Sequence, residues 1–244
     1  MTLFILSIAA SAQTATFEVA SVKPNPRRVG PDFNNQFTIL SSRFVGRNAT
    51  LRRLIADAHD IQLSQVAGPR WLDENEYDIE ARAESDINQA SLPSMLRTLL
   101  VDRFGLRDHM ERRTLRVYEL VIDKGAPRIA PVKEGTTTAP TRGLRFRGEM
   151  RQLADLIAVQ LTIPMPADPT RPAIAGGLPV AVLDKTGLTG IYEFDVDVPL
   201  EPGSDSLTLW QRFARERLGL KLENRRGEVP VVVVDSVDRT PTAN

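Results

Sequence analysis

The chain of 244 residues contains no cysteine and only two histidines, His59 and His109. The first absence removes disulfides, thiolate zinc sites and cysteine nucleophiles together. It leaves the compartment open, because a chain of this length buries a core without covalent staples. The second leaves no H-E-x-x-H pair and no two-histidine spacing, so a zinc site would have to be built from distant carboxylates. There is no excess charge of either sign: 31 basic and 31 acidic residues cancel and are interspersed. Nucleic acid is therefore not an expected partner. No G-x-S-x-G elbow and no glycine-rich phosphate cradle occur, and no apolar run is long enough to span a membrane in the mature chain. The residues assign no catalytic group, no cofactor and no metal ligand.

What is present begins with a short apolar run, Leu3 to Ala10, closed by Ala10-Ser11-Ala12. It reads as a secretory signal over 1–12, truncated in front because only Met1 and Thr2 precede it. The mature chain is expected to be secreted or periplasmic.

Beyond it, alternating apolar and polar positions predict strands at 17–23, 36–40, 43–45 and 77–82. Period 3.6 predicts helices at 51–60, capped by Asn48 or Thr50, and at 92–104, stopped by Gly105. Two strands should follow, at 106–111 and 115–123. From 125 to 143 the composition shifts to Pro, Thr, Gly and charge, the mark of a boundary. The pattern then restarts with a strand at 144–146, a helix at 150–161, an exposed proline-rich loop at 163–179, a strand at 192–198, a helix from a Ser206 cap to Leu218, and a central strand at 229–235.

The second half repeats the first. Asp102-Arg103-Phe104-Gly105-Leu106-Arg107 aligns with Glu216-Arg217-Leu218-Gly219-Leu220-Lys221, and Leu96, Leu99, Leu100 and Phe104 then fall on Trp210, Phe213, Ala214 and Leu218. Likewise Trp71-Leu72-Asp73 with Tyr77-Asp78-Ile79-Glu80 aligns with Val182-Leu183-Asp184 with Tyr192-Glu193-Phe194-Asp195. The reading is an α+β fold of two tandem pseudo-repeats, 13–124 and 144–244, joined by a 125–143 linker. Each repeat runs strand-helix-strand-helix-strand-strand, with helices on mainly antiparallel sheet. Whether the halves share one sheet or form two lobes stays open at this level.

Three groups invite a chemical reading. Asp184-Lys185-Thr186-Gly187 matches the start of the phosphorylated loop of P-type ATPases. Leu188 stands where that loop has Thr, and no Gly-Asp-Gly motif accompanies it, so a glycine turn in which Asp184 or Thr186 bonds the backbone is the better reading. Asp78 and Glu80, and again Glu193, Asp195 and Asp197, put carboxylates on one strand face, suited to acid/base pairs or to calcium. The simpler reading is a solvated face with Arg82 as ion-pair partner. Trp71 and Trp210 read as core anchors.

Five stretches in order carry a resemblance: Phe17-Glu18-Val19-Ala20-Ser21-Val22-Lys23-Pro24-Asn25, Gly68-Pro69-Arg70-Trp71-Leu72, Asp102-Arg103-Phe104-Gly105-Leu106, Leu183 to Phe194, and Leu218-Gly219-Leu220-Lys221-Leu222-Glu223. Together they resemble the secreted "soil-associated" family abundant in acidobacteria, a domain of unknown function. The resemblance implies export and a shared fold, and brings no catalytic residues. The helix-then-strand-pair units are also similar to small periplasmic modules of secretins and TonB-dependent receptors. The expectation is an extracytoplasmic, non-enzymatic binding or interaction module whose partner is an unknown envelope or extracellular protein or a small ligand. The alternative is an exported hydrolase using Asp78 or Asp195 between the halves.

Overall fold

The computed structural model describes residues 16–25, 37–132, 145–162, 180–198 and 205–242. The signal at 1–12, the proline-rich loop at 163–179 and most of the 125–143 linker lie outside them. The described elements are β1 (Phe17–Asn25), β2 (Phe37–Leu40), β3 (Arg43–Thr50), α1 (Leu51–Ala58), β4 (Val66–Ala67), β5 (Glu76–Ala83), α2 (Leu92–Phe104), β6 (Arg107–Ile122), β7 (Arg145–Gly148), α3 (Met150–Thr162), β8 (Ala181–Asp184), β9 (Tyr192–Asp195), α4 (Ser206–Phe213) and β10 (Leu220–Ser236). The chain is α+β, and its contacts group into two compact units. One takes the described residues of Met1–Asp60, Pro69–Arg107 and Val234–Asn244; the other takes Ile61–Gly68 and Asp108–Val233. Each unit is thus assembled from separated segments, where the composition shift alone places a single boundary at 125–143.

In the first unit the sheet order is β1-β5-β3-β2, antiparallel throughout. Strand alternation puts Ala20, Val22, Phe44, Tyr77, Ile79 and Ala81 on the buried face. Leu51, Leu54 and Ile55 of α1 and Met95, Leu96, Leu99, Leu100 and Phe104 of α2 complete this core at the helical spacing read from sequence. Thr50 Oγ1 accepts from Arg53 N and caps α1, while α2 ends at Gly105 with φ +58°, a conformation suited to glycine. The ring of Tyr77 meets Phe104 edge-on at 5.0 Å, and its hydroxyl donates to the carbonyl of Arg239 at 2.6 Å.

In the second unit the order β4-β10-β6-β8 forms one sheet and β7-β9 a second. Antiparallel pairing holds throughout the first unit and between β7 and β9, and the larger sheet here departs from it in part. The larger sheet is mixed, because β4 runs parallel to β10 and β8 runs parallel to β6. At its centre β6 and β10 run in opposite directions: Arg112 pairs with Glu228 at 3.1 Å, and Asp123 N donates to Gly219 O at 3.0 Å. The strands expected at 106–111 and 115–123 are one 16-residue strand, β6, since Arg112, Arg113 and Thr114 contain neither glycine nor proline to turn the chain. β10 likewise runs through 17 residues and occupies the interior position expected of it. The element order from 145 to 236 is accordingly strand-helix-strand-strand-helix-strand rather than strand-helix-strand-helix-strand-strand. The core under this sheet gathers Leu120, Phe146, Met150, Leu153, Ile157, Tyr192, Trp210, Phe213 and Leu218.

Two local assignments also change. The cap of α4 is Asp205, whose carboxylate accepts from Thr208 N at 2.9 Å, and Ser206 is the first helical residue. Trp71 to Asp73 lie in a 3-10 turn, Arg70–Asp73, whereas Val182 to Asp184 belong to a strand, so the aligned residues adopt different structures. β4 and β8 are both short strands that run parallel to a long neighbour.

Candidate functional site

The structure turns each group singled out by sequence into a local arrangement. Asp184 closes β8, and its Oδ1 accepts from Thr186 N at 2.9 Å and from Thr186 Oγ1 at 2.7 Å. Leu188 N donates in turn to Thr186 Oγ1 at 3.1 Å, and Gly187 and Gly190 hold φ of +67° and +99°. Both lone-pair contacts of that carboxylate oxygen are directed at the turn, as expected of a structural aspartate.

The strand carboxylates form ladders with arginine. Glu80 on β5 takes Arg43 at 3.0 Å and Arg47 from β3, and Asp78 beside it accepts from Asn48 N at 3.1 Å. Asn48 has φ +53°, so Asp78 steadies a left-handed residue at the β3 irregularity. Hydrogen bonds from Arg47 first and Arg43 second hold the Glu80 carboxyl below the usual carboxylate range. Arg82, expected as the partner of this row, lies instead across from Arg43 in the register. On β9, Glu193 accepts from Arg145 at 3.1 Å and Arg147 at 3.2 Å, and Asp195 from Arg145 at 3.0 Å. The Glu193 side chain is only 7% exposed, and the hydrogen bond with Asp195 leads the causes that raise the Arg145 guanidinium. Asp197 meets Arg217 at 3.8 Å in solvent.

The histidines sit in different units: His59 caps the end of α1, and His109 Nε2 lies 3.2 Å from Glu111 on exposed β6. Among the described residues no group of three or more potential metal ligands assembles. Trp210 is buried with Phe213 edge-on at 5.5 Å, whereas Trp71 is half-buried under the Arg239 guanidinium at 4.7 Å.

Sequence reasoning missed two concavities of the first unit. One, of about 330 Å³, runs between the edge strand β1 and α2 and is lined by Phe17, Glu18, Ala20, Thr98, Leu99, Asp102 and Arg103. Arg103 Nη2 reaches across and donates to Ala20 O at 2.9 Å. The other, of about 380 Å³, is lined by Pro24, Asn25, Glu74 to Tyr77, Arg239 and Thr240. Burial is the leading influence on the Tyr77 phenol there and pushes its pKa up. Both join residues more than 50 positions apart, beyond the reach of local pattern.

A family model described as protein of unknown function (DUF3738) matches residues 52–237. The chain belongs to this family. No curated protein and no solved structure matches it. Among the described residues no helix is long and apolar enough to cross a membrane.

Proposed function

We propose that this chain is an extracytoplasmic, non-enzymatic binding module that engages a partner polypeptide by strand addition at a sheet edge. The observation carrying the reading is β1: it is the outer strand of β1-β5-β3-β2, and its outer side opens onto the groove against α2. Export is supported by the apolar run ending in Ala10-Ser11-Ala12 and by the resemblance to secreted soil-associated proteins. The hydrolase alternative needs a carboxyl that still holds a proton near neutral pH. The carboxylates it would use are engaged as acceptors: Asp78 accepts from Asn48 N and Asp195 from Arg145.

The module is, on this reading, a duplicated one. β3-α1-β4-β5-α2-β6 and β7-α3-β8-β9-α4-β10 run in the same element order, with β3 paired to β5 and β7 to β9. Within the second unit the sheet alternates between copies, the short strand of each lying beside the long strand of the other.

The test places a photo-crosslinking residue at Val19, which is 68% exposed on β1, in the full chain expressed in its own cells. The expected result is a chain lacking the first residues, recovered outside the cytosol with a polypeptide adduct. Recovery in the cytosol with Met1 intact would overturn export, and irradiation without any adduct would overturn binding at β1.

A further inference from the structure

We infer that the β1–α2 groove receives an extended peptide bearing apolar side chains between basic residues, added as a fifth strand beside β1; this rests on the binding-module reading above. The backbone supplies the first argument. Pro24 has no N–H, and Ala20 O is taken by Arg103 rather than by β5, so Ala20, Val22 and Pro24 turn their backbone groups away from β5. The N–H of Ala20 and both groups of Val22 have no backbone partner on that side among the described residues. An incoming strand would complete this ladder.

Shape supplies the second. Phe17, Ala20 and Leu99 line the groove beside its polar residues, and its volume of about 330 Å³ admits side chains from alternate positions of one strand.

Charge supplies the third. Elsewhere in this unit Asp57, Asp73 and Glu80 each face an arginine. Glu18 and Asp102, which line the groove, are exposed and have no ion-pair partner among the described residues. Arg103, which donates to Ala20 O, brings one positive charge to the groove against these two carboxylates. The excess of carboxylate over guanidinium favours a cationic partner and disfavours an acidic one.

The probe is a labelled synthetic peptide alternating valine and threonine, with lysine at both ends, and its control carries glutamate at both ends. Binding to the full chain is followed by fluorescence anisotropy and by hydrogen exchange. The lysine-ended peptide is expected to slow exchange at Ala20 and Val22 and to bind about tenfold or more tightly than the glutamate-ended one. Glu18→Lys with Asp102→Lys should reverse that order, and Thr98→Trp should block both peptides while leaving the melting temperature close to that of the parent chain. Equal binding of the two peptides with β1 protected would overturn the basic-partner assignment and leave strand addition standing. Failure of either peptide to protect β1, with adducts still forming at Val19, would overturn the groove as the site and leave the binding module intact.

Discussion

The two places where a helix hands over to a long strand, α2 into β6 and α4 into β10, follow the same plan with different supports. Both stop on a left-handed glycine, Gly105 at φ +58° and Gly219 at φ +68°. Each end closes partly on its own helix and partly on a distant segment. Gly105 N and Leu106 N return to the carbonyls of Val101 and Leu100, and Asp238 N takes that of Phe104. In the second, residues Ala214–Leu218 wind as a π-helix whose Gly219 N returns to Ala214 O, and Arg128 N donates to Leu218 O at 2.9 Å while its side chain reaches Glu216 O at 2.7 Å. A stretch whose composition reads as linker therefore satisfies the carbonyls that this helix end leaves open. The same stretch bridges Pro131 to Tyr192. One glycine faces a neighbour's side chain, and the other a neighbour's backbone.

The sharpest way to break this comparison is to give each glycine a Cβ. At Gly219 that carbon would lie 3.0 Å from Arg128 N and 3.1 Å from Ala126 O, both backbone atoms. At Gly105 it would meet Asp238 Oδ2 at 3.1 Å, the far end of a movable side chain. Left-handed alanine costs about 1–2 kcal/mol at either site, and displaced backbone adds about 1–2 kcal/mol at Gly219 alone. Thermal melts should rank Gly219→Ala well below Gly105→Ala. Equal losses would mean that the segment at Arg128 yields freely.

Next in size are the tyrosines that open β5 and β9. The Tyr77 hydroxyl donates to Arg239 O at 2.6 Å, and that of Tyr192 to Thr189 O at a looser 3.3 Å. Tyr77→Phe leaves a half-buried carbonyl without its donor and should cost about 1–1.5 kcal/mol; Tyr192→Phe should cost about 0.5 kcal/mol or less. Urea titrations that reversed the order would show that the tail at Arg239 contributes little to the first unit.

Smaller again is the difference at the helix starts. Ser91 makes no side-chain cap bond to α2, whereas the Asp205 carboxylate caps α4, and the bond from Thr208 N is the leading cause that lowers its pKa. A carboxyl depressed on folding stabilises the folded state above its unfolded pKa, and the contribution is lost as pH falls through the folded value. Asp205→Ala should cost about 0.5–1 kcal/mol at neutral pH, and the gap from the parent chain should close below about pH 4. Asp205→Asn should keep most of the cap without that pH dependence, and Ser91→Ala should change little at any pH.

The helix 92–104 and the buried faces of α1 and β5 were legible because each is set by local spacing: Leu96, Leu99, Leu100 and Phe104 recur at the helical period, and Tyr77, Ile79 and Ala81 alternate. β6 was not legible as one strand, because its 107–116 half is exposed or half-exposed on both faces and shows no alternation to read. The parallel placement of β4 and β8 was hidden for a different reason. Two and four residues carry too little pattern, and their register comes from partners such as Val232 and Val117 far away in the chain. The β1–α2 groove lay out of reach for the same reason, since Glu18 and Asp102 meet only after the fold forms. The turn at Asp184 is legible from its glycines, although the residues aligned with it in the first half belong to a different kind of turn.

That last contrast separates a core loss in one turn from an almost neutral change in the other. In the first half the turn into β5 is a 3-10 turn pinned by fully buried Leu72, with no positive-φ residue between Pro69 and Asn75. In the second half the turn into β9 is held by Asp184, Thr186 and two positive-φ glycines, with Leu188 only partly buried. Leu72→Ala should therefore cost about 2–4 kcal/mol, and Gly187→Ala, whose added carbon meets nothing within 4 Å, only the left-handed backbone term of about 1–2 kcal/mol. Asp184→Asn retains an acceptor oxygen for both Thr186 contacts and should cost a few tenths of a kcal/mol at most. If melts placed Asp184→Asn beside Leu72→Ala, the negative charge itself would be holding the second turn, and the two turns would differ in electrostatics as well as in packing.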